Sequence, residues 1–475
     1  MRRLQFALLL FCLAPLTNTY AQSYDRLSAG PRAVVAVSEP VVALTNVTVI
    51  DGTGAPARAG QTVIIQNGRI ARVGPAASTP APNGARVLDL AGHTVLPGIV
   101  GMHNHTFYTT ARRSIQANFS MPRLYLASGV TTTRTTGSMS PYSELNLKKR
   151  IDSGEVPGPR MHVTGPYISG DGAGAGMYEV GTPEDARRVV SYWAGEGATW
   201  FKFYTLITRE EMKAAIDEAH KHGLKVTGHL CSVGFREAVA LGIDALEHSL
   251  FANSEYDTNK KPDQCPATVE ASLATLDMKS PAVRATIEDM VKNNVAMTST
   301  LAIYELYVPG RPKELDPRML EAMSAEAREE YLASRKRIME NPATGTPETV
   351  FKKAMEFDRM FAAAGGLLAA GSDPTGNGGA LPGFGDQRNH ELLVEAGFSP
   401  VESIKIMTLN GAKVLGVDKD LGSIETGKVA DLVVVRGNPA TTPADIRNVT
   451  VVFKDGVGYD SAKLLAAVKG VVGVR

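Results

Sequence analysis

Two histidines spaced i, i+2, His103 and His105, close an apolar run that begins at Val95. On an extended strand, side chains two apart point to the same side. The pair therefore aims two imidazoles at one point, as a divalent metal site needs. Alone, it is also what a strand entering a polar loop looks like. Downstream segments change the weighing. Lys202 sits between Phe201 and Phe203 in an apolar run, where an ammonium is costly to bury unless it is paired or neutralised. His229, His248 and Asp373 each follow a short apolar, strand-like stretch. Taken singly, these are satisfied core histidines and an N-cap aspartate. Taken together, six metal-competent residues close strand-like segments, and four of the chain's nine histidines are among them.

The elements that must position them can be read in order. Val41 to Val49, Thr62 to Gln66, Arg69 to Val73, Val87 to Asp89 and Thr94 to Leu96 read as short strands, with Asn67-Gly68 as a hairpin turn. From His103 to about Gly397 short apolar strands alternate with helix-length amphipathic stretches. Thr182-Pro183, the Thr208–Glu211 capping box and Ser399–Glu402 mark helix starts, and Gly223 marks a helix end. Eight strand–helix units over about 270 residues fit a (β/α)8 TIM barrel. Leu432 to Val435 and Val449 to Phe453 are β-branched again. The expected fold is α/β, a barrel inserted in a small β-sandwich formed by both chain ends. The expected division is 22–97 for the N-terminal part of the sandwich, 98–415 for the barrel and 416–475 for the C-terminal part. Barrel sites lie at the C-terminal ends of the strands, where all six residues fall. Asp171 to Gly176 is glycine-rich without a P-loop pattern and reads as a mobile loop over the site.

The remaining features bound the setting. The chain has 475 residues, 44% of them hydrophobic and 21% charged, with a net charge of +1. That is an ordinary globular composition, and its balance gives no sign of a nucleic-acid partner. Arg2, Arg3 and the apolar stretch Leu4 to Leu16 read as a signal peptide, residues 1–21, cleaved after Thr19-Tyr20-Ala21. The apolar run is too short to span a membrane. A periplasmic or secreted protein without stable membrane insertion is expected. Cys231 and Cys265 then lie in a compartment that permits disulfides, and pairing and free thiols are both open. So is homo-oligomerisation.

These residues resemble the binuclear branch of the amidohydrolase superfamily, which includes imidazolonepropionase-like proteins and Xaa-Pro dipeptidases. The resemblance runs through Leu96-Pro97-Gly98 to His105, Phe201 to Tyr204, Gly228-His229-Leu230, Leu246-Glu247-His248 and Gly371-Ser372-Asp373. It continues from Leu409 to Ala412 and from Leu421 to Asp431. Asn104 departs from the usual aliphatic or acidic residue. The resemblance implies two divalent metal ions, zinc foremost. His103, His105 and Asp373 hold one, His229 and His248 the other, and a carboxylated Lys202 bridges them. Carboxylation suits a buried lysine, whose amine is neutral often enough to add CO2. Paired metals would activate a bridging water, with Asp373 moving the proton. Tyr204, two after Lys202, and His162 are the expected catalytic partners in the substrate mouth, and Arg134 is a further contact. His220, His222 and His390 lie on helices and read as surface residues.

The function this implies is hydrolysis of an amide or peptide C–N bond in a small molecule, foremost by a dipeptidase acting on Xaa-Pro or N-acyl amino acids. The rivals are an amidase of larger N-acylated aromatic amino acids of the mycotoxin type, and a lactonase or phosphotriesterase on the same metals. A non-catalytic exported binding protein is disfavoured by the intact ligand set.

Overall fold

The computed structural model describes residues 24–474. The signal-peptide segment, 1–21, lies outside them.

Both chain ends meet in one nine-stranded mixed sheet. Its seam is the antiparallel pairing of Leu432–Arg436 with His93–Pro97, from Leu432 opposite Pro97 to Arg436 opposite His93. The hairpin at Asn67-Gly68 joins Arg58–Gln66 to Arg69–Pro75, and both turn residues have positive φ, 50° and 78°. That is the backbone a tight two-residue hairpin requires. Strand alternation sorts the apolar side chains onto two faces. Leu432 and Val434 join Val63, Ile65 and Val95 on one face. Val433 and Val435 pack with Leu96, Leu126, Ala127 and Leu464 on the other. The helices Ser120–Ala127 and Ser461–Ala466 meet there, where Ser461 Oγ donates to Ala127 O at 2.7 Å.

Between the two ends the chain forms parallel strands in chain order. Ile99–Asn104, Val130–Thr135 and Arg160–His162 make one parallel strip. Thr164–Ser169, Trp200–Phe203 and Lys225–Gly228 make a second. Ala245–Glu247, Ala296–Ser299 and Leu368–Ala370 make a third. The expected single strand at Arg160 to Gly165 is broken at Val163 and runs on to Ser169. Strip edges touch: Thr227 Oγ1 donates to Ala245 O at 3.2 Å, and Asp373 N donates to His103 O at 2.8 Å. Helices follow the strands and are capped as their sequences require. Thr182 accepts from Asp185 N, and Thr208 and Ser399 each form a complete capping box.

Alternation explains how Lys202 is placed. Phe201 and Phe203 are fully buried against the helix layer, with Val190, Ala215 and Ile216 in the same cluster. Burying each contributes about 1.5–3 kcal/mol. Their packing turns Lys202, between them, to the opposite side. Cys231 and Cys265 form a disulfide, with Cα atoms 4.9 Å apart. It ties the segment just after His229 to the loop that follows the His248 strand. No helix among the described residues is long and apolar enough to cross a membrane.

Candidate active site

The six expected metal residues converge. His103 is the next-to-last residue of the Ile99–Asn104 strand, and His105 follows the strand. His229, His248 and Asp373 each lie one to three residues beyond their strands. His248 and Asp373 have positive φ, 67° and 45°. Non-glycine residues rarely adopt that backbone, and such strain concentrates at functional sites. Lys202 Nζ lies 3.1 Å from His103 Nε2. Asp373 Oδ1 is 3.3 Å from His105 Nε2, and its Oδ2 is 3.7 Å from His103 Nε2. The His229 and His248 ring centroids are 4.2 Å apart. One ligand atom from each of His103, His248 and Asp373 lies within 4.8 Å of the others. These three, all buried, can hold a divalent ion.

The electrostatics favour ligand forms. Burial, followed by the nearby Lys202, pushes His229 down to about 3 and holds His103 well below the ordinary imidazole value. These rings are therefore neutral and able to donate a lone pair. Burial pushes Lys202 down to about 8, against the pull of Asp373 and Glu247. Burial alone would raise Asp373, but its place facing His103, His105 and Lys202 brings its carboxyl below the ordinary carboxylate range.

The outward ring nitrogens are occupied in turn. His103 Nδ1 donates to Glu247 Oε2 at 2.7 Å, and His105 Nδ1 donates to Gly137 O at 3.2 Å. For His103 and His105 this is the support metal-ligating histidines usually have, and it leaves their Nε2 atoms, both facing Asp373, for an ion. His248 differs: its Nδ1 lies 2.8 Å from Thr300 Oγ1 and 3.8 Å from Asp373 Oδ2, while its Nε2 is buried with no hydrogen-bond partner. Sequence reading gave Glu247 no role, although its place directly before His248 was the available signal.

Some expected residues lie elsewhere. His162 does not line the cavity. Its strand breaks at Val163 and the chain continues six residues past it, so Tyr167, not His162, stands beside Lys202 in register. Arg134 is fully buried and binds Met102 O and Glu247. It holds the ligand frame rather than the mouth. His390 is fully buried, with Nδ1 2.9 Å from Ser403 Oγ. Its helix, Phe384–Glu395, is buried on more than one face. Asn104 turns to Ser372, accepting from its N and Oγ.

A cavity of about 320 Å³ opens onto Lys202, His229, His248 and Asp373. Tyr204 lines it, as expected, with its ring 4.9 Å from His229. Tyr167, Tyr304, Tyr307, Met139 and Met177 also line it. These come from loops, a strand extension and the short helix Leu301–Glu305, none of which carries a motif. Tyr167 Oη lies 3.4 Å from His105 Nε2. Gly376 has a φ of 73°, and a Cβ there would sit 2.3 Å from Tyr307 Oη. Glycine thus lets the Tyr307 hydroxyl reach the loop after Asp373.

The sequence pattern of the amidohydrolase family matches residues 94–458. A solved structure described as a candidate prolidase from Bifidobacterium longum is 26% identical, with a TM-score of 0.63, covering 90% of this chain and 98% of that one. A Xaa-Pro dipeptidase with bound methionine in its active site is 23% identical, with a TM-score of 0.64, covering 88% and 100%. Phenylurea hydrolase B is 21% identical, with a TM-score of 0.65, covering 90% and 98%. No curated protein matches the chain. With the family pattern spanning more than half of the sequence and converging histidines, lysine and aspartate at the strand ends, this chain belongs to the amidohydrolase family and is a hydrolase of carbon–nitrogen bonds.

Proposed function

We propose that the protein is an exported, metal-dependent amidohydrolase that cleaves an amide-type C–N bond with two divalent ions, zinc foremost. The observation that carries metal binding is the group His103, His248 and Asp373, with ligand atoms within 4.8 Å of one another; it takes members from both ligand sets of the paired-metal reading. His103, His105 and Asp373 would hold one ion and His229 and His248 the other, with Lys202, carboxylated on Nζ, between them. When bound, the ions lower the pKa of a water and polarise the substrate carbonyl. Asp373 accepts the proton of the attacking water and returns it to the departing nitrogen. Tyr204, facing the same cavity, donates its hydroxyl proton in a hydrogen bond to the developing oxyanion.

The parallel strips, in chain order with touching edges, support a closed eight-stranded barrel, and the single sheet shared by both chain ends, apolar on both faces, supports the small β domain read as a sandwich. In this reading 22–97 and 416–475 form the sandwich and 98–415 the barrel. The basic and apolar N-terminus supports export, and mature protein from native cells is expected to begin near Gln22. An N-terminus at Met1 would refute it. Among substrates, Xaa-Pro dipeptides fit the relatives named prolidase and dipeptidase. The aromatic lining of the cavity favours larger aromatic amides.

The test separates proton transfer from metal holding. Asp373→Asn keeps one acceptor oxygen, so part of the metal stays bound. It loses the proton acceptor, and kcat is expected to fall by roughly 10²–10⁴-fold. His103→Asn should lower metal occupancy first and recover with added zinc. Near wild-type kcat in a metal-replete Asp373→Asn variant contradicts the proposal.

A further inference from the structure

We infer that this cavity selects an uncharged amide carrying an aryl or similarly flat apolar group, rather than a dipeptide or N-acyl amino acid with a free carboxylate. The inference rests on the hydrolase reading above and concerns the substrate of the same site.

The rings around the site form an unbroken arc. Centroid separations run 6.5 Å from Phe107 to Tyr167, 5.4 Å to Tyr204, 4.9 Å to His229, 4.2 Å to His248 and 5.6 Å to Tyr304. Tyr304 is fixed from behind by Phe251, stacked at 3.7 Å with the planes parallel to within 1°. Met139, Met177 and Ile303 add apolar side chains to the lining. Aromatic edges and faces at these spacings favour a flat ring between them, and thioethers adapt to its outline.

Size agrees. A cavity of roughly 150 Å³ holds a benzene. The cavity here, about 320 Å³, has room for an aryl ring, an amide and a second group of similar bulk.

Charge decides the class. Among the described residues that line the cavity, the charged groups are Lys202 and Asp373, both within the metal-ligand cluster. The other polar groups are the imidazoles of His229 and His248, in the same cluster, and hydroxyls of threonine and tyrosine. Arg134 pairs with Glu247, and in the hairpin that carries Phe107, Arg113 pairs with Glu326 at 2.8 Å, while Arg112 is exposed at the hairpin tip and does not line the cavity. A substrate carboxylate entering this space would lose its water without gaining a guanidinium or ammonium, which is costly.

The test is a matched pair that differs only in the presence of that carboxylate: N-benzoyl-phenylalanine and N-benzoyl-2-phenylethylamine, on zinc-loaded enzyme. The neutral amide is expected to have at least a 10-fold higher kcat/KM. Met139→Arg places a cation at the partly exposed rim of the cavity and is expected to move the ratio at least 10-fold toward the acid, mainly through KM. Preference of the wild type for the acid overturns the inference and leaves the hydrolase reading intact. A ratio unmoved by Met139→Arg overturns the assignment of this cavity as the place where substrate charge is read. Failure of the zinc-loaded enzyme to cleave either compound overturns the inference. If that enzyme also leaves a panel of dipeptides uncut, the amidohydrolase reading falls with it.

Discussion

His103 and Glu247 meet at 2.7 Å with both side chains wholly buried. Glu247 uses its other oxygen for Arg134 and Thr227. One carboxylate thus orients an imidazole of the candidate metal site and neutralises a guanidinium that has no exposure to water. The link ties the chemistry of the site to the stability of the strands beneath it.

Glu247→Gln keeps the shape and removes the charge. It should cost about 3–5 kcal/mol of stability, the usual penalty for leaving a buried charge without its partner. Folded variant should bind zinc roughly 10–100-fold more weakly, as when the support of a ligand histidine is lost. Denaturant unfolding and zinc titration check the two effects. Unchanged zinc affinity would show that Glu247 serves Arg134 alone.

Lys202→Ala removes the proposed bridge. Turnover should drop to near background and return in part with a short carboxylic acid such as propionate, which supplies the missing oxygens. Full activity without rescue would make Lys202 an ordinary core lysine.

Asp358 offers a stability test away from the site. Burial pushes its carboxyl from 3.8 up to about 6, despite hydrogen bonds from Ser299 and Ser249. A raised folded-state value means that the protonated form is favoured by folding. Its contribution is therefore complete below about pH 4 and is lost as pH rises to about 6. At one pKa unit per 1.36 kcal/mol, the loss is roughly 3 kcal/mol. Asp358→Asn should match the wild type near pH 4 and exceed it by about that amount at pH 8 in denaturant unfolding. A difference independent of pH would contradict this.

The site was legible where strand periodicity carries it. His103, His105, Lys202, His229, His248 and Asp373 each close an apolar segment, and all six converge. Helix starts were legible because a side-chain cap is a local event, as at Thr208. Residues whose place depends on distant packing were not. His162 was misplaced because the break at Val163 puts Tyr167, five residues later, beside Lys202. His390 looked exposed because helix spacing alone cannot show that Ser403 covers it. Tyr304, on the short helix Leu301–Glu305, and Tyr307 and Met177, on loops, reach the cavity from segments that carry no motif, and only the fold reveals them.

Metal content measured beside turnover tests the central claim most directly. Purified, active protein should carry close to two divalent ions per chain. Removing them with a chelator should abolish hydrolysis, and adding zinc should restore it. Full activity with one ion per chain, or with none, would contradict the paired-metal account.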